Sequence, residues 1–254
     1  MKIKPRLATA AIVYVIYTLV IFGTWFATDA NYLTLTDPDR IATTTVLPLF
    51  FGAIFLAATL SYLGWWRPVM TEDRRGGPGW TLWGILVVTG GFILLNLTAA
   101  DWSQIAATHL TFLFLAAILV GFNEEALTRG VLVVGGRGST QSETLVWFVS
   151  SLLFGLMHLP NALFGLPPFA AVAQVGFAFL AGSGFYLLRR LSGTILLPMF
   201  VHAAWDFSTF SKAASGAEGS SLITLFQFGT YIVSIILVIL VLRRDRGSPN
   251  SRRP

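Results

Sequence analysis

A chain of 254 residues with 55 % hydrophobic side chains, only 11 % charged ones and a mean hydropathy of +0.72 cannot cover a water-facing surface. Soluble domains run near 45–50 % and about 25 %, so lipid is the solvent for much of this chain. The absence of cysteine excludes disulfides, thiolate metal sites, a cysteine nucleophile and a prenylated cysteine of the chain's own. The net charge of +5 and the pI near 9.9 fit basic residues that set topology and touch anionic lipid, with no nucleic-acid partner.

In chain order, apolar runs lie at 8–27, 44–66, 80–99, 106–135, 146–165, 168–189, 193–210 and 221–242. Each approaches the roughly 20 residues that cross a bilayer. Lys2, Lys4 and Arg6 precede the first run, as in a signal peptide. That run is too long for a signal h-region and no small-x-small site follows it, so it reads as an anchor. Residues 70–79 form a turn-rich linker, 211–220 a loop of small residues, and 243–254 a disordered basic tail. Trp65, Trp66, Trp80, Trp83, Trp102 and Trp147 lie near span ends, where an interfacial belt would place them.

These runs predict an all-α, polytopic integral membrane protein of about eight transmembrane helices. An even number puts both termini on one side. With that alternation, every Lys and Arg except Arg40 and Lys212 falls on the side of the termini. The positive-inside rule then makes that side the cytoplasm of a multi-pass protein in the cell (inner or plasma) membrane. The chain divides into three helices over 1–104, a polar-studded core over 105–212, and a last helix with its basic tail over 213–254. No internal repeat is visible, which argues against a transporter built from inverted halves.

Ionisable residues inside spans are costly and mark function by default. Three constellations stand out. In Glu124-Glu125-Ala126-Leu127-Thr128-Arg129, Glu125 and Arg129 lie four apart on one helical face, acid first, the favourable order for a pair. Glu124 is rotated about 100° from Glu125 and faces a different neighbour. The bland alternative is three charges marking a helix end in the headgroups. His158 follows Phe154 by four within WFVSSLLFGLMHL and has no ionisable company in that run. A lone histidine on an apolar face is more often packed against a carbonyl than catalytic. His202 and Asp206 again lie four apart, and a buried aspartate without a partner costs at least about 2.5–3.5 kcal/mol on insertion scales. A purely structural His–Asp pair is the alternative there. If the fourth helix runs to about Val134, the three clusters sit at depths that agree within about 5 Å. His109, with no acid at helical spacing, reads as structural.

At these residues the sequence resembles the CAAX-protease and bacteriocin-processing (CPBP) family of intramembrane proteases, also called the Abi or type II CAAX prenyl endopeptidase family. Its EExxxR, FxxxH and HxxxN/D signatures stand here, in order, as Glu124/Glu125/Arg129, Phe154/His158 and His202/Asp206. The words GFNEEALTRGVL, SSLLFGLMHL and TILLPMFVHAAWDF carry the likeness across 105–210. Two positions depart from the pattern: Thr128 stands where an aromatic is common, a packing change, and Asp206 where asparagine is commoner. The resemblance implies an intramembrane endopeptidase acting on a membrane-associated peptide or protein. In it, Glu124 and His158 activate a water, His202 and Asp206 face the oxyanion, Glu125 and Arg129 form a supporting ion pair, and Phe154 packs the motif. An ionised Asp206 would repel that oxyanion, so it acts there as a neutral acid or has another role.

Other readings stay open. Glu124, His158, His202 and Asp206 would also make an acceptable zinc set, though the HExxH spacing of helical zinc proteases is missing; metal-free chemistry without a cofactor is the favoured expectation. A non-catalytic bacteriocin-immunity or scaffold protein of the same family would need none of the chemistry. A proton-relay transporter would use the same buried groups.

Overall fold

Inside a bilayer every backbone polar group must find its partner within the chain, which leaves apolar runs little choice but helix. The computed structural model describes residues 1–72 and 76–247, and among these the protein is helical with no strand. Helix α1 spans Leu7–Ala27; a π-helical turn, Ala42–Val46, leads into α2, Leu47–Leu63; α3 is the short Trp66–Met70; α4 is Gly79–Ala99. Next, α5, Ala107–Glu125, continues through a second π-helical segment, Ala126–Leu132, into α6, Val133–Arg137. The order closes with α7, Glu143–Leu156, a 3-10 turn Leu159–Phe164, then α8, Pro168–Ser192, α9, Leu196–Ala214, and α10, Ser221–Gly247.

Seven of these helical runs are long and apolar enough to cross a membrane. The eighth expected run forms α9, with 19 residues, but its apolarity is diluted by His202, Asp206, Ser208, Ser211 and Lys212. It nevertheless joins the two ends of the bundle. Ile195 donates its backbone N–H to the Met70 carbonyl at one end, and Ala214 packs beside Ile41 and Ile105 at the other.

Lys2, Leu7 and Asp245 are all tied down at the first of these ends. The Lys2 N–H donates to the Leu63 carbonyl at 3.1 Å and the Leu7 N–H to Ser139 Oγ at 2.7 Å. Arg190 pairs with Asp245 at 2.7 Å. Residues 243–247, expected in a disordered tail, instead extend α10, anchored by that ion pair; the rest of the expected tail lies outside the described residues. Glu72, expected in an open linker, is buried: Arg137 reaches it at 2.8 Å and Arg189 at 3.1 Å. Two tryptophans leave the expected belt for the interior. Trp65 donates to the Ile3 carbonyl at 2.8 Å and Trp147 to Ser183 Oγ at 3.0 Å, whereas Trp66, Trp80, Trp83 and Trp102 are exposed.

Small residues let membrane helices approach closely, and one such contact positions the site. A Cβ on Gly121 would lie 2.5 Å from the Met199 carbonyl oxygen, so α5 and α9 touch backbone to backbone one turn before Glu124. Asn123, also buried, donates to the Leu49 carbonyl at 2.9 Å and ties the same turn to α2.

This arrangement makes a topological prediction. Reporters fused near residue 4 and after residue 245 are expected to read the same side of the membrane, and reporters in 30–40 or 211–220 the other. A split reading of the two termini would mean that α9 does not cross.

Candidate active site

The two glutamates stand where the α-helix gives way to π-helix. Such π turns are rare and frequently accompany functional sites. Glu124 and Glu125 are the last residues of α5, near the middle of the 31-residue run Ala107–Arg137. The π segment that follows is buried along its whole length. From α8, the buried Arg189 donates to the Arg129 carbonyl within that segment, and to the Pro68 carbonyl at 2.8 Å and the Thr71 carbonyl at 3.1 Å.

Glu125 and Arg129 pair at 3.2 Å with both side chains 0 % exposed. A charge pair so placed carries a desolvation penalty of several kcal/mol per ion and must be closely supported. The support is visible. Arg129 also donates to Thr128 Oγ at 2.5 Å, and the Thr128 hydroxyl donates to the Glu124 carbonyl, also at 2.5 Å. Its guanidinium carbon sits 4.1 Å from the Phe154 ring centroid and 5.4 Å from that of Phe185. Such desolvated cation–π contacts are each worth up to about 2 kcal/mol. The guanidinium packs against the bare backbone of Gly182, where any Cβ would collide with it.

Glu125 Oε1 serves a second partner, His202 Nδ1, at 2.9 Å. With Nδ1–H donated there, His202 Nε2 is turned toward Glu124 Oε2 at 3.8 Å and Asp206 Oδ2 at 3.6 Å. Phe185 stacks on the same imidazole with centroids 4.5 Å apart, and Phe154 meets it edge-on at 5.8 Å. His158 stands just past the end of α7, in the turn before the 3-10 segment that Pro160 initiates. Its Nδ1 lies 2.9 Å from the Phe154 carbonyl. A carbonyl only accepts, so Nδ1 carries the hydrogen and Nε2 keeps its lone pair.

Glu124, His158, His202 and Asp206 line one cavity of about 340 Å³, in company with Tyr17, Trp25 and Tyr32. A second cavity of about 550 Å³, between α8, α9 and α10, reaches His158, His202 and Asp206 from the other side. Glu124 and Asp206 keep 15 % and 17 % of their side chains accessible, against 0 % for Glu125. Two carboxylates and two imidazoles can thus face a reactant, while the third carboxylate is committed to Arg129 and His202. Among the described residues no group of three or more His, Cys, Asp and Glu is placed to hold a metal ion. His109 lies apart from this cluster and donates to the Thr36 carbonyl at 2.7 Å.

Comparison with known families bears on the same stretch. Residues 106–208 match the family model described as Type II CAAX prenyl endopeptidase Rce1-like. This stretch, less than half of the chain, is similar to that family. The match runs from the start of α5 into α9 and contains all three motifs; α1, α2, α4 and α10 lie outside it. No curated protein and no solved structure matches the chain.

Within the matched stretch, Thr128 is more than a packing change: its hydroxyl links Arg129 to the Glu124 carbonyl. Sequence reasoning passed over Gly182 and Phe185, which enclose Arg129 and His202, and Asn123, which fixes the Glu124 turn. Gly182 and Phe185 sit in a run of ordinary span residues, whereas Asn123 was visible as a polar side chain beside the motif.

Glu125→Gln is expected to cost about 3–5 kcal/mol, the usual result of leaving a buried charge without its partner. The measurement is a lower unfolding temperature in detergent, with Glu124→Gln shifting it far less. Equal shifts for the two variants would mean that Glu125 has no special supporting role.

Proposed function

We propose that this Rce1-like protein is a multi-pass endopeptidase of the cell membrane, its termini cytoplasmic, that hydrolyses a peptide bond of a membrane-associated substrate. The observation that carries the proposal is the convergence of Glu124, His158, His202 and Asp206 on one cavity, with each imidazole held through Nδ1 and its Nε2 left for chemistry.

Peptide hydrolysis needs an activated water, an acceptor for the oxyanion's charge and a proton for the leaving amine. In this scheme a water donates one hydrogen bond to Glu124 and one to His158 Nε2. As its oxygen attacks the scissile carbonyl carbon, its proton passes to Glu124. The carbonyl oxygen becomes an oxyanion beside His202 and Asp206. His202 acts there as an imidazolium, Nδ1–H on Glu125 and Nε2–H toward the oxyanion. Collapse of the tetrahedral intermediate breaks the C–N bond, and Glu124 returns the proton to the departing amine. Glu125 and Arg129 never touch substrate; they hold His202 and the turn that carries Glu124. No step passes through a metal.

Glu124→Gln, His158→Ala and His202→Ala are each expected to lower cleavage by about 10²–10⁴-fold while the protein stays folded and inserted. Comparative membrane proteomics of wild type against Glu124→Ala supplies the substrate, as a precursor that stays uncleaved. Wild-type turnover in any of the three variants removes that residue from the scheme. A wild-type protein that cleaves nothing returns the chain to a binding or scaffold role.

Asp206 separates metal-free from zinc chemistry. Beside an oxyanion a neutral amide serves at least as well as a carboxyl group, so Asp206→Asn is expected to keep or raise activity and Asp206→Leu to lose it. Chelators are expected to have no effect. An inactive, folded Asp206→Asn, with stoichiometric zinc in the wild type, would instead make Asp206 a metal ligand.

A further inference from the structure

Helix α1 lies outside the matched stretch, yet it lends the first cavity a tyrosine. Tyr17 is buried, 1 % exposed, and lines that cavity together with Glu124 and His158. Its ring is seated against bare backbone. A Cβ on Gly52 of α2 would lie 2.8 Å from Tyr17 Cε2 and 3.2 Å from Asn123 Oδ1. One glycine thus sets the ring beside the residue that precedes Glu124.

Two polar groups in this corner meet no hydrogen-bond partner among the described residues. The Tyr17 hydroxyl donates to none of them. The Glu124 carboxylate accepts from none of them, with His202 Nε2 standing off at 3.8 Å. Burying a hydroxyl that serves nothing costs free energy, and phenylalanine would fill the same space without that cost. Tyr14, one turn earlier on α1, shows the ordinary arrangement: its hydroxyl donates to the Leu153 carbonyl at 2.9 Å, and it lines neither cavity.

A water that donates one hydrogen to Glu124 and the other to His158 Nε2 keeps two lone pairs, and neither group decides which of them attacks. An O–H arriving from α1 would occupy one and leave the other for the scissile carbon. We infer that the Tyr17 hydroxyl donates to the attacking water and fixes its line of attack, which makes Tyr17 a catalytic residue supplied from outside the three motifs. The inference rests on the peptidase reading and adds one group to it. The water's proton still passes to Glu124 and its oxygen still bonds to the carbonyl carbon; Tyr17 keeps its own proton throughout. After attack the same O–H donates to the new hydroxyl group of the tetrahedral intermediate.

The probe is N-acetyl-Leu-Phe-Leu ending in a trifluoromethyl ketone, whose hydrate carries two oxygens on one tetrahedral carbon as the intermediate does. Its reference is the same peptide ending in a methylamide. Binding of each to full-length protein in lipid nanodiscs is measured by calorimetry at neutral pH. Wild type is expected to prefer the ketone. Tyr17→Phe is expected to lose about tenfold in ketone affinity, with amide affinity kept and the unfolding temperature no lower. Tyr14→Phe is expected to keep the preference. An unchanged ketone affinity in Tyr17→Phe overturns the inference, as do equal losses for both compounds or an equal loss of preference in Tyr14→Phe. If Glu124→Gln abolishes the preference while Tyr17→Phe does not, the peptidase reading stands without Tyr17. A wild type with no preference for the ketone defeats that reading and the inference together.

Discussion

A guanidinium and a carboxylate shut away from both water and lipid need close support from their surroundings. Arg129 and Glu125 impose that demand, although Arg129 Nε and Nη2 and Glu125 Oε2 find no hydrogen-bond partner among the described residues. Both are fully buried. Removing either leaves the other as an uncompensated charge in a medium that penalises it heavily. The features around the pair follow from this one constraint. Phe154 and Phe185 supply ring faces to the guanidinium, Gly182 supplies space, and Thr128 supplies a hydroxyl acceptor. Glu125 has acceptor capacity beyond Arg129, and His202 uses it. The ion pair is therefore also the device that fixes which nitrogen of His202 faces the cavity. Support and chemistry share one oxygen atom.

The same pair is held from the end of the bundle. Arg189 donates to the Arg129 carbonyl, and its guanidinium is itself held by Glu72 at 3.1 Å. Glu72 also receives Arg137, which in turn reaches Glu143 at 2.5 Å. A continuous run of charge-assisted hydrogen bonds thus links the loop after α3, the end of α6, the start of α7 and the end of α8 to the π segment below the glutamates. Charged bonds of this kind are roughly twice as strong as neutral ones. They fix the local pitch of a segment that is neither free to straighten into α-helix nor exposed enough to fray.

Much of this was legible in the residues. The spacing of Glu125 and Arg129 announced the pair, and the spans were read to within a few residues, because hydropathy and length carry that information directly. The likeness of the three motifs to one family was readable, and the matched core over 106–208 agrees with it. Other features were not legible. Nothing in Ala126–Leu132 distinguishes π-helix from α-helix, since the difference is one residue of hydrogen-bond register. Glu72 sat among arginines and glycines and looked like linker; its burial depends on Arg137 and Arg189 arriving from segments more than sixty residues away. Trp65 and Trp147 were placed at the interface by type and position, but each had an interior acceptor that the sequence does not display.

The gap between eight expected spans and seven apolar ones is itself informative. Helix α9 falls short because it carries polar residues, His202 and Asp206 of the candidate site among them. An unpartnered aspartate costs about 2.5–3.5 kcal/mol at the bilayer centre, so hydropathy alone gives α9 little reason to lie where it does. Its partners resolve this. Gly121 lets α5 approach to backbone contact, and Glu125 receives His202. On the far side, Trp205 stacks on Phe92 of α4 with centroids 3.8 Å apart. The helix that brings the most chemistry is thus the one whose position depends least on lipid and most on neighbours that precede it in the chain. A scale built on transfer from water to hydrocarbon undercounts a helix of that kind, because its polar face is transferred to the polar face of α5 and never to hydrocarbon.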